Sequence, residues 1–311
     1  MTVRPLDRSR FPSRRRFLSR RRFLTGTATA AAALLVPRAG AIEPFDRPQA
    51  GPLKLSLSAY SFRKELTGEV GDGMTLFDLV DFCREHRVPG VELTSYYFPD
   101  DYDQPYLRRL ARHCHTSGVS ISGGAIRNDF CVPEDRQVAE LDAVKRWIDA
   151  YAVLGAPVIR VFAGKVPKGE AEAAARDRCI RGLQAACDYA ATRGVMLALE
   201  NHGGITATPD SMLPLVRGVQ SPAFGVNFDS GNFRTDQPYE DLRHIAPYAI
   251  NAQIKVVIGP RDAEQPTDLP RVIDILKDAG YGGWVALEYE EGGDTAAEVV
   301  RYLDDLRPLL G

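Results

Sequence analysis

The 311-residue sequence predicts a single (β/α)8 barrel, on three observations. Short aliphatic runs alternate with longer stretches of helical periodicity, eight of each, across residues 53–311. Several of the short runs, such as VMLALE and WVALEYE, are almost continuously apolar, as strands buried on both faces of a parallel sheet must be. Eight such units over about 250 residues is the size of a closed barrel. The competing open, doubly wound sheet lacks its phosphate-binding signature: the first strand runs into SLSAYSFRKE, with no G-x-G-x-x-G.

Taken in order, strands are expected over 53–61, 90–94, 119–123, 157–162, 195–200, 225–229, 250–256 and 283–288. Helices are expected near 75–87, 103–117, 134–153, 170–193, 209–219, 239–246, 268–279 and 294–308. Capping chemistry supports several of them. Thr208-Pro209-Asp210 and Thr267-Asp268-Leu269-Pro270 place a side-chain acceptor and an early proline at two helix starts, and Ala279-Gly280 stops the second of these helices. Composition is ordinary for a globular chain, 44% hydrophobic and 26% charged, which is enough to fill one large core.

Charge is unevenly distributed. Residues 1–41 carry ten arginines and one acid, Asp7; the remainder holds 29 basic and 40 acidic residues, a net charge of −11. A body that acidic repels a phosphate backbone, so nucleic acid is not an expected partner. The basic segment Ser19-Arg20-Arg21-Arg22-Phe23-Leu24-Thr25, with a near-copy from Ser13, resembles a twin-arginine export motif. A weakly apolar stretch from Ala28 to Val36, too short for a stable membrane anchor, and a small-residue cleavage site at Ala39-Gly40-Ala41 follow in the right order. The expectation is a signal peptide over 1–41, a linker over 42–52, passage through the twin-arginine machinery, and a periplasmic or secreted barrel over 53–311. The five cysteines form no C-x-x-C pair, and Cys179 and Cys187, eight apart on one expected helix, are too distant for a disulfide, so buried free thiols are expected.

Active-site groups of such a barrel sit at the carboxyl ends of the strands. Glu200, Asp229 and Glu288 each follow an apolar run without a break. Three carboxylates converging in a partly desolvated space repel one another, and a divalent cation relieves that. Oxygen-rich ligation favours Mn2+ or Mg2+.

In order and spacing, AYSFR, GVELTSYYF, ALENHGG, NFDSGN, AQIKV and VALEYEE resemble the xylose-isomerase-like barrel superfamily of sugar isomerases, epimerases and type-2 endonuclease-like proteins, over roughly residues 53–308. The resemblance implies one divalent metal held by Glu200, Asp229, Gln253 and Glu288. Gln253 stands where the family pattern H-x-K has histidine, which argues against zinc. The resemblance also implies that Glu200 and Glu288 exchange the substrate proton. Secondary expectations are substrate contacts from Glu92, His202, Asn232, Lys255 and Tyr60, and an aromatic wall from Tyr60, Phe62, Tyr96, Tyr97 and Phe98. His86, His113 and His115 fall on outer helices and are expected at the surface.

The expected activity is metal-dependent isomerisation or epimerisation of a sugar through an enediolate. The alternatives are β-elimination from an oxidised (3-keto) glycoside and a non-catalytic sugar-binding barrel. The small-molecule partner is a sugar or glycoside, and a homo-oligomer is compatible with the sequence. DNA repair is disfavoured by charge and by a mature chain with only five histidines.

Overall fold

The computed structural model describes residues 42–47 and 51–311; the export-type segment lies outside the described residues. Eight strands close a barrel: β1 (Lys54–Ser58), β2 (Gly90–Thr94), β3 (Ser120–Ala125), β4 (Val158–Val161), β5 (Met196–Glu200), β6 (Phe224–Asp229), β7 (Ala249–Ile254) and β8 (Trp284–Leu287). Neighbours in sequence pair in parallel, and β1 closes the ring by pairing with β8, Leu55 opposite Val285. Each strand leads to a helix: α1 (Leu76–Glu85), α2 (Gln104–Thr116), α3 (Gln137–Leu154), α4 (Glu172–Ala191), α5 (Pro209–Gly218), α6 (Pro238–Ile245), α7 (Leu269–Asp278) and α8 (Thr295–Leu306).

The helices begin where local chemistry tells them to. Thr75 caps α1 through a reciprocal box with Asp78, Thr208 caps α5 with Pro209 in its first turn, and Asp268 accepts from the Arg271 N–H at the start of α7. Gly155, at φ 77°, ends α3 in the left-handed region that glycine enters without a Cβ clash. Each helix lays an apolar stripe on the outside of the barrel; α7 does so with Leu269, Val272, Ile273, Ile275 and Leu276.

Three details depart from the sequence reading. The first strand stops at Ser58, and Ala59–Phe62 turns as a 3-10 helix, because the Ser58 hydroxyl caps that turn at the Tyr60 N–H. Beyond β7 the chain forms a small antiparallel hairpin, Val257–Ile258 with Gln265–Pro266, before α7. Residues 42–47, expected as linker, lie against the barrel: Ile42 is buried, Phe45 N–H bonds Pro247 O at 3.1 Å, and the Arg47 guanidinium covers the rings of Phe45 and Tyr281. Among the described residues no helix is long and apolar enough to cross a membrane. All five cysteines are free and buried.

The barrel interior is polar rather than filled with branched aliphatic side chains. Near the amino end Ser56 and Ser122 share a hydroxyl contact of 2.6 Å. Above them lie Glu92, Asn227, Asn251 and Gln253, and at the carboxyl mouth the charged groups. The pairing register shifts between Val91 and Glu92 and again between Val226 and Asn227, so both irregularities sit beside residues of this polar stack.

Candidate active site

Period-two alternation builds the site. On β7 and just beyond it, Asn251, Gln253 and Lys255 are all buried and point inward, on a strand whose Ala252 and Ile254 face the helices. On β6 the inward pair is Asn227 and Asp229.

The lower layer is an amide lattice around one acid. Glu92 on β2 meets β7 across the lumen: Asn251 Nδ2 donates to Glu92 Oε2 at 2.8 Å and Gln253 Nε2 to Glu92 Oε1 at 2.5 Å. Gln253 Oε1 accepts from Asn227 Nδ2 at 2.6 Å, and Asn227 Oδ1 accepts from Asn251 at 2.8 Å. Glu92 is wholly buried, and burial with the Glu288 charge pushes its pKa up to about 7, against the two amide donors and Arg160.

The upper layer carries the charge. Glu200, at the end of β5, faces two partners: Asn232 Nδ2 donates to its Oε1 at 2.9 Å, and Arg160 Nε lies 2.8 Å from its Oε2. That N–H does not aim along the line of approach, so Glu200 Oε2 is within ion-pair reach yet accepts no aligned hydrogen bond. Arg160, only 5% exposed, donates to Ile126 O at 2.8 Å and lies over the Phe162 ring at 4.0 Å. Asp229 Oδ1 accepts from the Gly231 N–H at 2.9 Å and its Oδ2 faces Lys255 Nζ at 3.4 Å. Asn201 locks β5 to β6 by bonding both the Asp229 N–H and C=O at 3.0 Å. Glu288 takes Ser58 Oγ on Oε2 at 3.0 Å and Lys255 on Oε1, and Lys255 also contacts Glu290.

These surroundings drive the acids apart. Burial raises the pKa of Glu200 well above the usual carboxylate range; the Asp229 and Glu288 charges add to that, and together they outweigh Arg160 and Lys255. Burial acts on Glu288 in the same direction, but the Lys255 ammonium, by charge and hydrogen bond, with help from Arg160, holds its pKa below normal. Asp229 is pushed up to about 7, by burial above all. His202 drops to about 4 through burial and the nearby Arg160 and Lys255, so it is neutral, tilted against Phe162.

Two cavities are lined by residues that follow the carboxyl ends of the strands. One, of about 680 Å3, is walled by Tyr60, Tyr96, Tyr97 and Trp147 with Arg63 and Arg127. The other, of about 650 Å3, is bounded by Phe162, His202, Gly203, Asn128 and Lys165, and Arg127 belongs to both. Glu92, Glu200, Asp229 and Glu288 belong to the lining of neither.

Of the residues singled out from sequence, Glu200, Asp229, Lys255 and Glu288 gather in one layer, Asn232 holds Glu200, Glu92 and Gln253 sit beneath, and Tyr60 and His202 line different cavities. Phe62 instead packs into the core against Phe82 of α1. His113 pairs with Asp81 on the outer helices. Sequence reasoning passed over Arg160, Asn227, Asn251 and Ser58. The signal existed: an arginine inside PVIRVF, and asparagines two positions before Asp229 and Gln253, place polar groups on the inward face of apolar strands.

The donor set bears on a metal. The hard oxygens of Glu200, Asp229 and Glu288 suit Mg2+ or Mn2+ in kind. Their arrangement does not: Gln253 spends both amide ends on Asn227 and Glu92, and Lys255 stands among the carboxylates. Among the described residues, no three His, Cys, Asp or Glu side chains are placed to share an ion.

A closed parallel barrel with its acids at the carboxyl mouth defines the class of protein, and comparison with known proteins gives the family. The profile of the Xylose isomerase-like TIM barrel matches residues 80–306, and the chain belongs to that family. A human protein called "Putative hydroxypyruvate isomerase" is 25% identical over 175 residues, 51% of this chain; the match spans 63% of that relative's length. Among solved structures, D-psicose 3-epimerase with D-tagatose from Clostridium cellulolyticum H10 superposes with a TM-score of 0.68 at 15% identity, covering 83% of this chain and 99% of that one. A family member from Mycobacterium smegmatis in complex with magnesium gives 0.63 at 20% identity, covering 84% and 98%.

Proposed function

We propose that this chain moves a proton on a carbon next to a carbonyl of a sugar or sugar-like polyol, as an isomerase or epimerase. One observation carries the reading: two buried carboxyl groups at one barrel mouth, Glu200 and Glu288, have environments that push their pKa values in opposite directions. Such a division assigns roles. Glu288, kept ionised by Lys255, is the base that takes the C–H proton. Glu200, whose pKa burial raises, takes up a proton more readily than Glu288 and is the acid that returns one. Family membership and the hydroxypyruvate isomerase likeness support this class.

Around that pair, Ser58 orients Glu288, and Asn232 with Arg160 orients Glu200. Neutral His202 can hydrogen-bond a substrate hydroxyl from one side, and Tyr60 can offer a ring face and a phenol from the other. A divalent ion, when bound in such a barrel, supplies Lewis-acid polarisation of the carbonyl; the residues here do not fit it, and no step is assigned to it.

A second reading is favoured by the paired cavities. A two-part substrate could span them, sugar on one side and aglycone on the other. In that case the base removes the proton beside a 3-keto group, the C–O bond to the aglycone breaks with its electron pair, and the acid protonates the leaving oxygen. The common first step makes one experiment serve both. Incubation in D2O with ketoses and 3-keto glycosides, read by NMR, should place deuterium next to the carbonyl, and loss of aglycone marks elimination. Glu200→Gln and Glu288→Gln should each slow turnover roughly 100-fold or more. No deuterium with any member of the panel would sink the proposal. The site of action proposed is the periplasm or exterior, on the strength of the twin-arginine-like segment.

A further inference from the structure

We infer that this site holds no divalent ion: Gln253, which stands where the H-x-K pattern has histidine, is committed to an amide lattice, and Lys255 and Arg160 alone neutralise the acids. Converging carboxylates need positive charge, and the structure shows what supplies it. Lys255 Nζ touches Glu288 and Glu290 and lies 3.4 Å from Asp229 Oδ2, so one ammonium faces three acids. Arg160 provides the charge facing Glu200. Both cations are buried, where an uncompensated charge would be strongly disfavoured, so they belong to the design of the layer.

Gln253 argues the same way. To offer its carbonyl oxygen to an ion at the mouth it must abandon Asn227 Nδ2 and Glu92 together, leaving a buried amide and a buried carboxyl each short of a partner. The lattice of Asn227, Asn251, Gln253 and Glu92 therefore fixes Gln253 as the floor of the site, below the charged layer. A lysine also has a use that fits the chemistry. Its contact with Asp229 is the longest of the three, and a substrate oxygen can replace it. The ammonium then faces the oxygen on which negative charge develops as the proton leaves. That last role rests on the proton-transfer reading; the absence of a metal requirement does not.

The test reads metal rather than turnover. The mature protein, made in Mn2+-supplemented medium and dialysed, is analysed for bound metals, and its melting temperature is measured with added Mn2+, Mg2+ or EDTA. We expect far less than one equivalent of any divalent ion and an unchanged melting temperature. Gln253→His, which restores the H-x-K pattern, should gain Mn2+ binding and melt several degrees higher with saturating Mn2+. A stoichiometric ion in the unmodified protein overturns the inference, as does its stabilisation by Mn2+. A folded Gln253→His that takes up no more Mn2+ than its parent overturns it too; if that variant does not fold, the unmodified protein decides alone. Because no activity is read, a failed D2O exchange and a bound metal remain separate results.

Discussion

The Arg160–Glu200 pair yields a prediction with a direction that a generic salt bridge would not give. Both side chains are buried, 2.8 Å apart. Replace Glu200 with leucine and the guanidinium loses its nearest counter-charge while remaining obligatorily charged. Breaking a buried pair this way costs about 3–5 kcal/mol. Replace Arg160 with methionine and the outcome differs. The orphaned carboxyl, already raised in pKa by burial and by Asp229 and Glu288, simply takes up a proton. What is lost is mainly the bond to Ile126 O and the packing on Phe162, on the order of 1–3 kcal/mol. The double variant removes both charges and leaves two apolar chains of similar volume, so it should fall well short of the sum, with a coupling of up to ~3 kcal/mol. Urea unfolding at neutral pH measures all four proteins, and each kcal/mol should move the melting temperature by about 2–4 °C for a domain of this size. Additive losses, or Arg160→Met as harmful as Glu200→Leu, would refute the reasoning.

Other expectations are simpler. Glu92 has a folded pKa of about 7 against 4.5 ordinarily, so its protonation favours the folded state at low pH and that contribution fades as pH rises through 7. Stability should therefore fall by up to ~3 kcal/mol between pH 4.5 and 8 on this group's account, and Glu92→Gln should flatten the slope in pH-dependent urea unfolding. Gly124→Ala would put a Cβ 2.1 Å from the ring of Tyr151, whose hydroxyl bonds Leu93 O at 2.6 Å; the variant should lose about 1–3 kcal/mol by the same assay. Deleting residues 1–41 should leave the protein in the cytoplasm on fractionation, whereas the full chain should be recovered outside it.

Much of the architecture was legible along the chain because it is local. Strands such as Gly90–Thr94 and helices such as Pro209–Gly218 show themselves through short-range periodicity and caps, and those signals do not depend on what lies across the barrel. The carboxylates were legible for the same reason: an acid ending an apolar strand of a barrel has only one mouth to face. What sequence alone determined, then, was the barrel, the order of its elements, and the presence of Glu200, Asp229, Lys255 and Glu288 at one end. Only the tertiary structure decided what those groups do to one another. Lys255 reaches Glu288 from the neighbouring strand, and Gln253 reaches Glu92 across 161 residues of chain. Whether Gln253 faces an ion or an amide lattice, and which acid keeps its proton, depends on distances between side chains far apart in sequence. Charge interactions fall off over a few ångströms and strengthen with burial, so they are set by packing and not by the pattern that specifies each strand.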